Sequence, residues 1–329
     1  PPRVVVGSWG AFHKELAPLA GVKLFQQAKA LGLSALVGCG GGGGSPTAPA
    51  SSSNSDLDAV TAALASATHL FDDGLYDITS STGASARAAG TFAAMEPAAF
   101  HRSVSRSSQG FAIALSDSDE AGRPHTADVT INRSTLGMFM VVRRPAGGGA
   151  VDTGDVVHKV MDDRWTRHVR LVRRTVLTPD GAREQWQLDQ MSALKIVSQP
   201  CSRAIVSLHL TGSGLDATIT DPAALRTFAQ LPQAALGDSV TITTDAGANT
   251  GANAGNDVFV YWGDRRVRMT PNGDGTHTVR VHSGSLAGVR SLGVNVFSRG
   301  TLHDDALIYD SVAWIVPLTV GTPVPSVWP

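Results

Sequence analysis

Cysteine is almost missing from this chain: there are two in 329 residues, Cys39 and Cys201. Two thiols so far apart give no disulfide framework and no C-x-x-C pair for metal or redox work. Aromatic residues make up 6% and charged residues 17%, and 27 Lys+Arg against 28 Asp+Glu leave a net charge of −1. So even a balance removes any global electrostatic argument for nucleic acid, an anionic membrane surface or a highly charged substrate. Local catalytic signatures are missing as well: the chain has no G-x-S-x-G, no H-E-x-x-H and no G-K-[ST] phosphate loop. What it has in quantity is glycine, 35 residues. Together with many Val, Thr and Ser, this predicts β-structure with frequent turns. A hydrophobic share of 42% suits a folded protein, and 329 residues leave room for two domains.

Ala30 to Gly38, "ALGLSALVG", is an uncharged, mostly apolar run behind Lys23 and Lys29. It is far shorter than the ~20 residues of a membrane-spanning helix but has the length of a signal-peptide apolar region. It ends in Leu36-Val37-Gly38-Cys39, which resembles the lipobox of bacterial lipoproteins. The resemblance implies cleavage before Cys39, a lipid on its thiol, and the membrane as a partner through that anchor. Gly40 stands where lipoproteins retained at the inner membrane carry Asp, so the same resemblance implies sorting to the outer membrane, at its periplasmic face or the cell surface. The tract Gly40 to Gly44 looks like those of proteobacterial lipoproteins, and glycine-rich chain makes a flexible tether. The organisation expected is a leader over 1–38, a lipidated tether over 39–55, folded regions over 56–199 and 202–320, and a Pro-rich tail over 321–329. Within the leader, 22–38 is the signal peptide, and 1–21 is either upstream translation or an extended n-region.

In "SDLDAVTAALASATHLF", Leu57, Val60, Leu64, Ala67 and Phe71 recur at helical spacing, with Ser55 or Asp56 as the N-cap. A second short helix is expected around Phe92 to Phe100. From Phe111 the period becomes two: Phe111, Ile113 and Leu115 alternate, then Val129 and Ile131, then Met138 and Met140. Pro179-Asp180-Gly181 reads as a hairpin turn, with Trp186, Leu188, Leu194 and Ile196 on one buried face of its second arm. One helix and a meander of long strands predict an α+β roll over 56–199, similar to the cystatin-like or nuclear-transport-factor-like folds. Seven strand-like segments follow, from "AIVSLHL" to "SVAWIVPLTV", and they resemble an immunoglobulin-like β-sandwich of bacterial exported proteins. The fold class expected is therefore mostly β, in two domains.

No residue stands out as catalytic. Asn272-Gly273-Asp274-Gly275 invites a calcium-loop reading, but the twelfth position from Thr270 is Val281 where the loop needs glutamate; a hairpin turn explains the same residues. Ser192-Ala193-Leu194-Lys195 matches S-x-x-K without its companion motifs. His277 and His282 have opposite strand parity and face apart, so no metal or other cofactor is expected. Cys201 reads as a small buried residue. Lys159, Arg164, Arg167, Arg170, Arg173 and Arg174 crowd one strand-like stretch, opposed by Asp162 and Asp163. Two accounts stand: a solvated, aggregation-resistant strand, or a patch gripping an anionic envelope glycan or another acidic partner. The functional expectation is a lipid-anchored envelope protein acting as a non-enzymatic binding or scaffold module, with an envelope glycan or protein as partner. An envelope-polymer hydrolase is the alternative, because a glycosidase carboxylate pair leaves no short motif.

Overall fold

The structure, a computed structural model, describes residues 4–9, 52–66, 97–118, 122–144, 156–179, 181–247, 255–263 and 265–321. Cys39, the lipobox before it and the glycine tract after it lie outside the described residues.

The elements in chain order are β1 (Val4–Trp9), α1 (Ser52–Ser66), β2 (Pro97–Ser118), β3 (Pro124–Arg143), β4 (Val156–Thr178), β5 (Gly181–Met191) and β6 (Leu194–Ser198). Then come β7 (Ser207–Gly212), β8 (Leu215–Ile219), β9 (Arg226–Thr227), β10 (Gln233–Ala234), β11 (Ser239–Asp245) and β12 (Asn256–Trp262). The rest is β13 (Arg265–Arg268), β14 (Thr270–Pro271), β15 (Thr276–His282), β16 (Gly288–Ser298), α2 (Arg299–His303) and β17 (Ser311–Val320). The protein is mostly β, as its composition predicts, and its strands pair antiparallel except for the short β10–β17 contact.

A twelve-stranded sheet runs β1-β2-β3-β4-β6-β17-β16-β12-β13, with β5 beside β4, β9 beside β5 and β10 beside β17; a second sheet of five runs β14-β15-β11-β7-β8. Strand β6 is the bridge. Ile196 pairs with Trp165 of β4 on one side and with Ala313 of β17 on the other, so one sheet continues from β4 through β6 into the C-terminal strands. Because side chains alternate, each face of this sheet has its own task. On the C-terminal half, Val258, Val260, Val294, Val296, Val312, Trp314 and Val316 pack against Leu208, Leu210, Ile242 and Val281 of the second sheet. The opposite face of the same strands carries Phe259, Phe297, Ala313 and Ile315. These look into a curl: the ring of Phe100 on β2 sits 5.1 Å from both Phe259 and Phe297, although β2 and β12 stand six places apart in strand order.

At the other end of the long strands, α1 covers the sheet as its spacing predicts. Val60 and Leu64 are buried with Ile113, Val129, Val169, Leu171 and Trp186. The helix starts at Ser52, ahead of the cap expected at Ser55 or Asp56, and Asp56 lies inside it in an ion pair with Arg173. The helix expected up to Phe100 is corrected too. Residues from Pro97 are strand, since Phe100 gains a ladder partner in Val141 and burial among aromatic rings, which outweigh weak helical propensity. The hairpin forms at the expected turn, with Thr178 opposite Gly181. Its second arm is two strands, not one: at Ser192-Ala193 the chain leaves one neighbourhood of β4 and rejoins it as β6.

Candidate functional site

Strand β4 places the cluster of cations singled out in the sequence. Its odd-numbered residues turn inward, so Lys159, Arg167 and Arg173 are buried, while Arg164, Arg170 and Arg174 look outward. The six do not form one patch. Arg164 lies against Asp162 (3.4 Å), Arg170 grips Asp128 (2.7 Å) and Arg174 meets Asp189 (2.6 Å). Arg173 pairs with Asp56 and lies over the Trp186 ring, 5.0 Å from its centroid. Burial pushes the Arg167 guanidinium down to about 10. Lys159 points its ammonium at three carbonyl oxygens, those of Gly300 (2.9 Å), Asp304 (2.5 Å) and Leu307 (2.6 Å). Burial pushes this lysine down to about 8, against the opposing pull of Asp304 and Asp305.

Inside the curl is a polar network that sequence reasoning missed. The hydroxyl of Tyr309 donates to the fully buried Asp163 at 3.2 Å and accepts from Arg102 Nε (3.3 Å) and Nη2 (3.2 Å). The Arg102 guanidinium also lies 5.5 Å from the Phe139 ring centroid and 5.3 Å from that of Phe297. Beside it, a cleft of about 30 Å³ is lined by Phe100, Asp257, Phe259, Arg266, Arg268 and His303, among others. That volume holds about one water. Asp257 is ion-paired to Arg268, and its other oxygen stands 3.1 Å from His303 Nε2 without hydrogen-bond alignment. Burial raises the Asp257 carboxyl, but His303 and Arg268 outweigh it, so the group stays below the ordinary carboxylate range.

Two wider grooves open on the surface. The first, about 500 Å³, crosses β2, β3 and β4 along Ala112, Ala114, Thr130, His168 and the Asp128–Arg170 pair, with Ala223 and Leu225 at its rim. The second, about 410 Å³, lies between β8 and residues 226–233. The cleft, the first groove and the second each contain a single carboxylate: Asp257, Asp128 and Asp216 respectively.

The remaining sequence candidates have structural roles. Asn272 to Gly275 is a hairpin turn closed by Asn272 N–H on the Thr276 carbonyl (2.9 Å), with Gly273 and Gly275 at φ of +91° and +93°. Asp274 accepts from the amide and the hydroxyl of Thr276 within the turn. Ser192 Oγ accepts from the His168 amide (2.9 Å) and donates to the Ala193 carbonyl (2.7 Å), whereas Lys195 is exposed. His277 is buried and His282 exposed, as their parity requires. Cys201 is half-buried with its Sγ 3.4 Å from the Arg203 and Ser311 carbonyl oxygens, and burial pushes its thiol up. Among the described residues, no group of three or more His, Cys, Asp or Glu could hold a metal ion, and no helix is long and apolar enough to cross a membrane. Comparison with protein-family models, curated proteins and solved structures returns no match.

Proposed function

We propose that this protein is a lipid-anchored module of the bacterial cell envelope that binds or scaffolds a partner and carries out no chemistry of its own. The lipid is on Cys39, at the end of Leu36-Val37-Gly38-Cys39, and the glycine-rich tract holds the folded part away from the outer membrane. Residues 202–320 form an immunoglobulin-like sandwich, and 56–199 form an α+β unit that shares its large sheet. The observation that carries the non-enzymatic reading is charge compensation inside filled cores. Arg102, Lys159, Asp163 and Asp257 are buried and bonded to protein groups, and the larger cavities are open grooves with one carboxylate each. A glycosidase needs two carboxylates facing each other across a substrate, roughly 5–9.5 Å apart.

The anchor is tested by feeding cells a tagged fatty acid. Wild-type chain takes the label and partitions with membranes; Cys39→Ser takes none and is released. Label persisting on the serine variant overturns the anchor. The non-enzymatic reading fails if purified protein releases soluble fragments from isolated peptidoglycan.

A further inference from the structure

Strand β8 ends the five-stranded sheet, with β7 on one side and, among the described residues, no strand on the other. The β7–β8 hairpin closes through two residues, Ser213 and Gly214, with Gly212 opposite Leu215. In such a hairpin the residues flanking the turn are the hydrogen-bonded pair, and hydrogen-bonded and open pairs then alternate along the ladder. Leu210–Ala217 and Leu208–Ile219 are therefore bonded pairs, while the N–H and C=O of Asp216 and Thr218 point away from β7. Leu215, Ala217 and Ile219 pack inward against the sandwich core, so register and face are both pinned. A bare edge of this kind is a template for another strand.

The groove of about 410 Å³ runs along this edge, and its far wall is Arg226 with residues 229–233. Arg226 is half-buried there, and among the described residues nothing hydrogen-bonds or ion-pairs its guanidinium. Two carboxylates are near, and neither hydrogen-bonds Arg226. Asp216 holds His209 Nε2 at 2.8 Å, and Asp221 accepts from the Ala223 amide at 2.8 Å. A carboxylate laid in the groove would meet this guanidinium with two parallel hydrogen bonds. Burial pushes the Arg226 guanidinium down, and the charge of Asp221 opposes that shift.

We propose that the β8 edge and the groove beside it bind an extended peptide segment of a partner protein by strand addition, with a carboxylate on that segment meeting Arg226. Main-chain hydrogen bonds to Asp216 and Thr218 supply affinity, and Arg226 selects an acidic residue at one position. The proposal deepens the binding-module reading but does not depend on the anchor, so it is tested on chain carrying Cys39→Ser.

The probe is an array of labelled, end-capped heptapeptides of alternating Val and Thr, each with one Glu, Gln or Lys at an interior position, titrated by fluorescence anisotropy. A Glu peptide is expected to saturate the protein, with the Lys version at least tenfold weaker. A copy N-methylated on alternate backbone amides should lose binding, and the amides of Asp216 and Thr218 should gain protection from hydrogen exchange in the complex. Arg226→Gln should weaken the Glu peptide about tenfold and leave the Gln peptide unchanged, while Arg226→Lys recovers part of the loss. Should Arg226→Gln not fold, the Glu/Lys contrast and the N-methyl copy decide alone. No saturation by any Glu peptide below about 1 mM overturns the proposal, as does equal binding of Glu and Lys peptides or protection appearing on another strand. Fatty-acid labelling of Cys39 can succeed or fail independently of every one of these results.

Discussion

Arg266 on β13 donates from Nη1 to the backbone carbonyl of Phe100 on β2 at 3.0 Å, and its guanidinium lies 3.6 Å from the centre of the Phe100 ring. The two residues are 166 positions apart in sequence and at opposite ends of the curled part of the sheet. No ladder joins β2 to β13, so side chains close the curl: this arginine and the Phe100, Phe139, Phe259 and Phe297 rings.

Replacing Arg266 by Leu removes the donor to that carbonyl and the cation over the ring. A buried hydrogen bond from a charged group contributes about 1.5–3 kcal/mol, and a desolvated cation–π contact up to about 2 kcal/mol. Urea denaturation should therefore show a loss of about 2–4 kcal/mol. A midpoint equal to wild type would mean that the curl is held elsewhere.

Both faces of β17 are buried, so neighbouring substitutions should both be costly. Trp314→Ala opens a cavity in the core between the two sheets, and Ile315→Ala opens one among Trp165, Leu194 and Ile196. Truncations of these kinds cost about 3–5 and 2–5 kcal/mol respectively. Denaturant midpoints measured on the full chain check this. An unchanged midpoint for Ile315→Ala would place that side chain in water.

Gly137 lies opposite Val104 next to a register shift in the β2–β3 ladder. A Cβ built there would stand 2.0 Å from the Ser103 carbonyl oxygen, so the strands must part to admit it. Gly137→Ala should cost at least the ~1–3 kcal/mol typical of overpacking, and a thermal melt would show it as a lowered midpoint. A neutral effect would mean that the bulge can slide.

Lys159 predicts a pH dependence with a definite sign. Its folded value of about 8 is below the ordinary 10.5, so between those values the unfolded chain binds more protons than the folded one. Stability contributed by this site therefore rises as pH climbs from about 8 to about 10.5. Measured against Lys159→Met, wild type should gain relative stability across that window, and the difference should level off below it. A parallel pair of curves would show that the ammonium is not desolvated.

His277 should act in the acid direction. Burial lowers its folded value below 6.5, opposed by the Asn256 and Gly275 backbone and Asp257, with Arg268 adding to the lowering. The unfolded chain takes up the proton first, so this site's contribution is complete above about 6.5 and declines as the pH falls below it. His277→Gln should flatten wild-type stability between about pH 7 and 5, as read by urea midpoints. An equally steep decline in the variant would assign the acid sensitivity to other groups.

Local pattern by itself determined the mostly β character, the helix through Val60 and Leu64, the hairpin that brings Thr178 opposite Gly181, the turn at Asn272 to Gly275 and the burial of Trp314. These depend on period, propensity and turn chemistry, which act over a few residues. The split of Lys159, Arg167 and Arg173 from Arg164, Arg170 and Arg174 was legible for the same reason: strand parity is fixed by the backbone. Tertiary structure decided what each face meets. That Ile196 bridges Trp165 and Ala313, that Tyr309 joins Arg102 to Asp163, and that Phe100 ends beside Arg266 all depend on pairings across more than a hundred residues. An isolated Asp or Arg in a strand looks the same in sequence whether it faces water or a buried partner. Only the curl of the large sheet, a property of all its strands together, makes Asp163 and Asp257 interior.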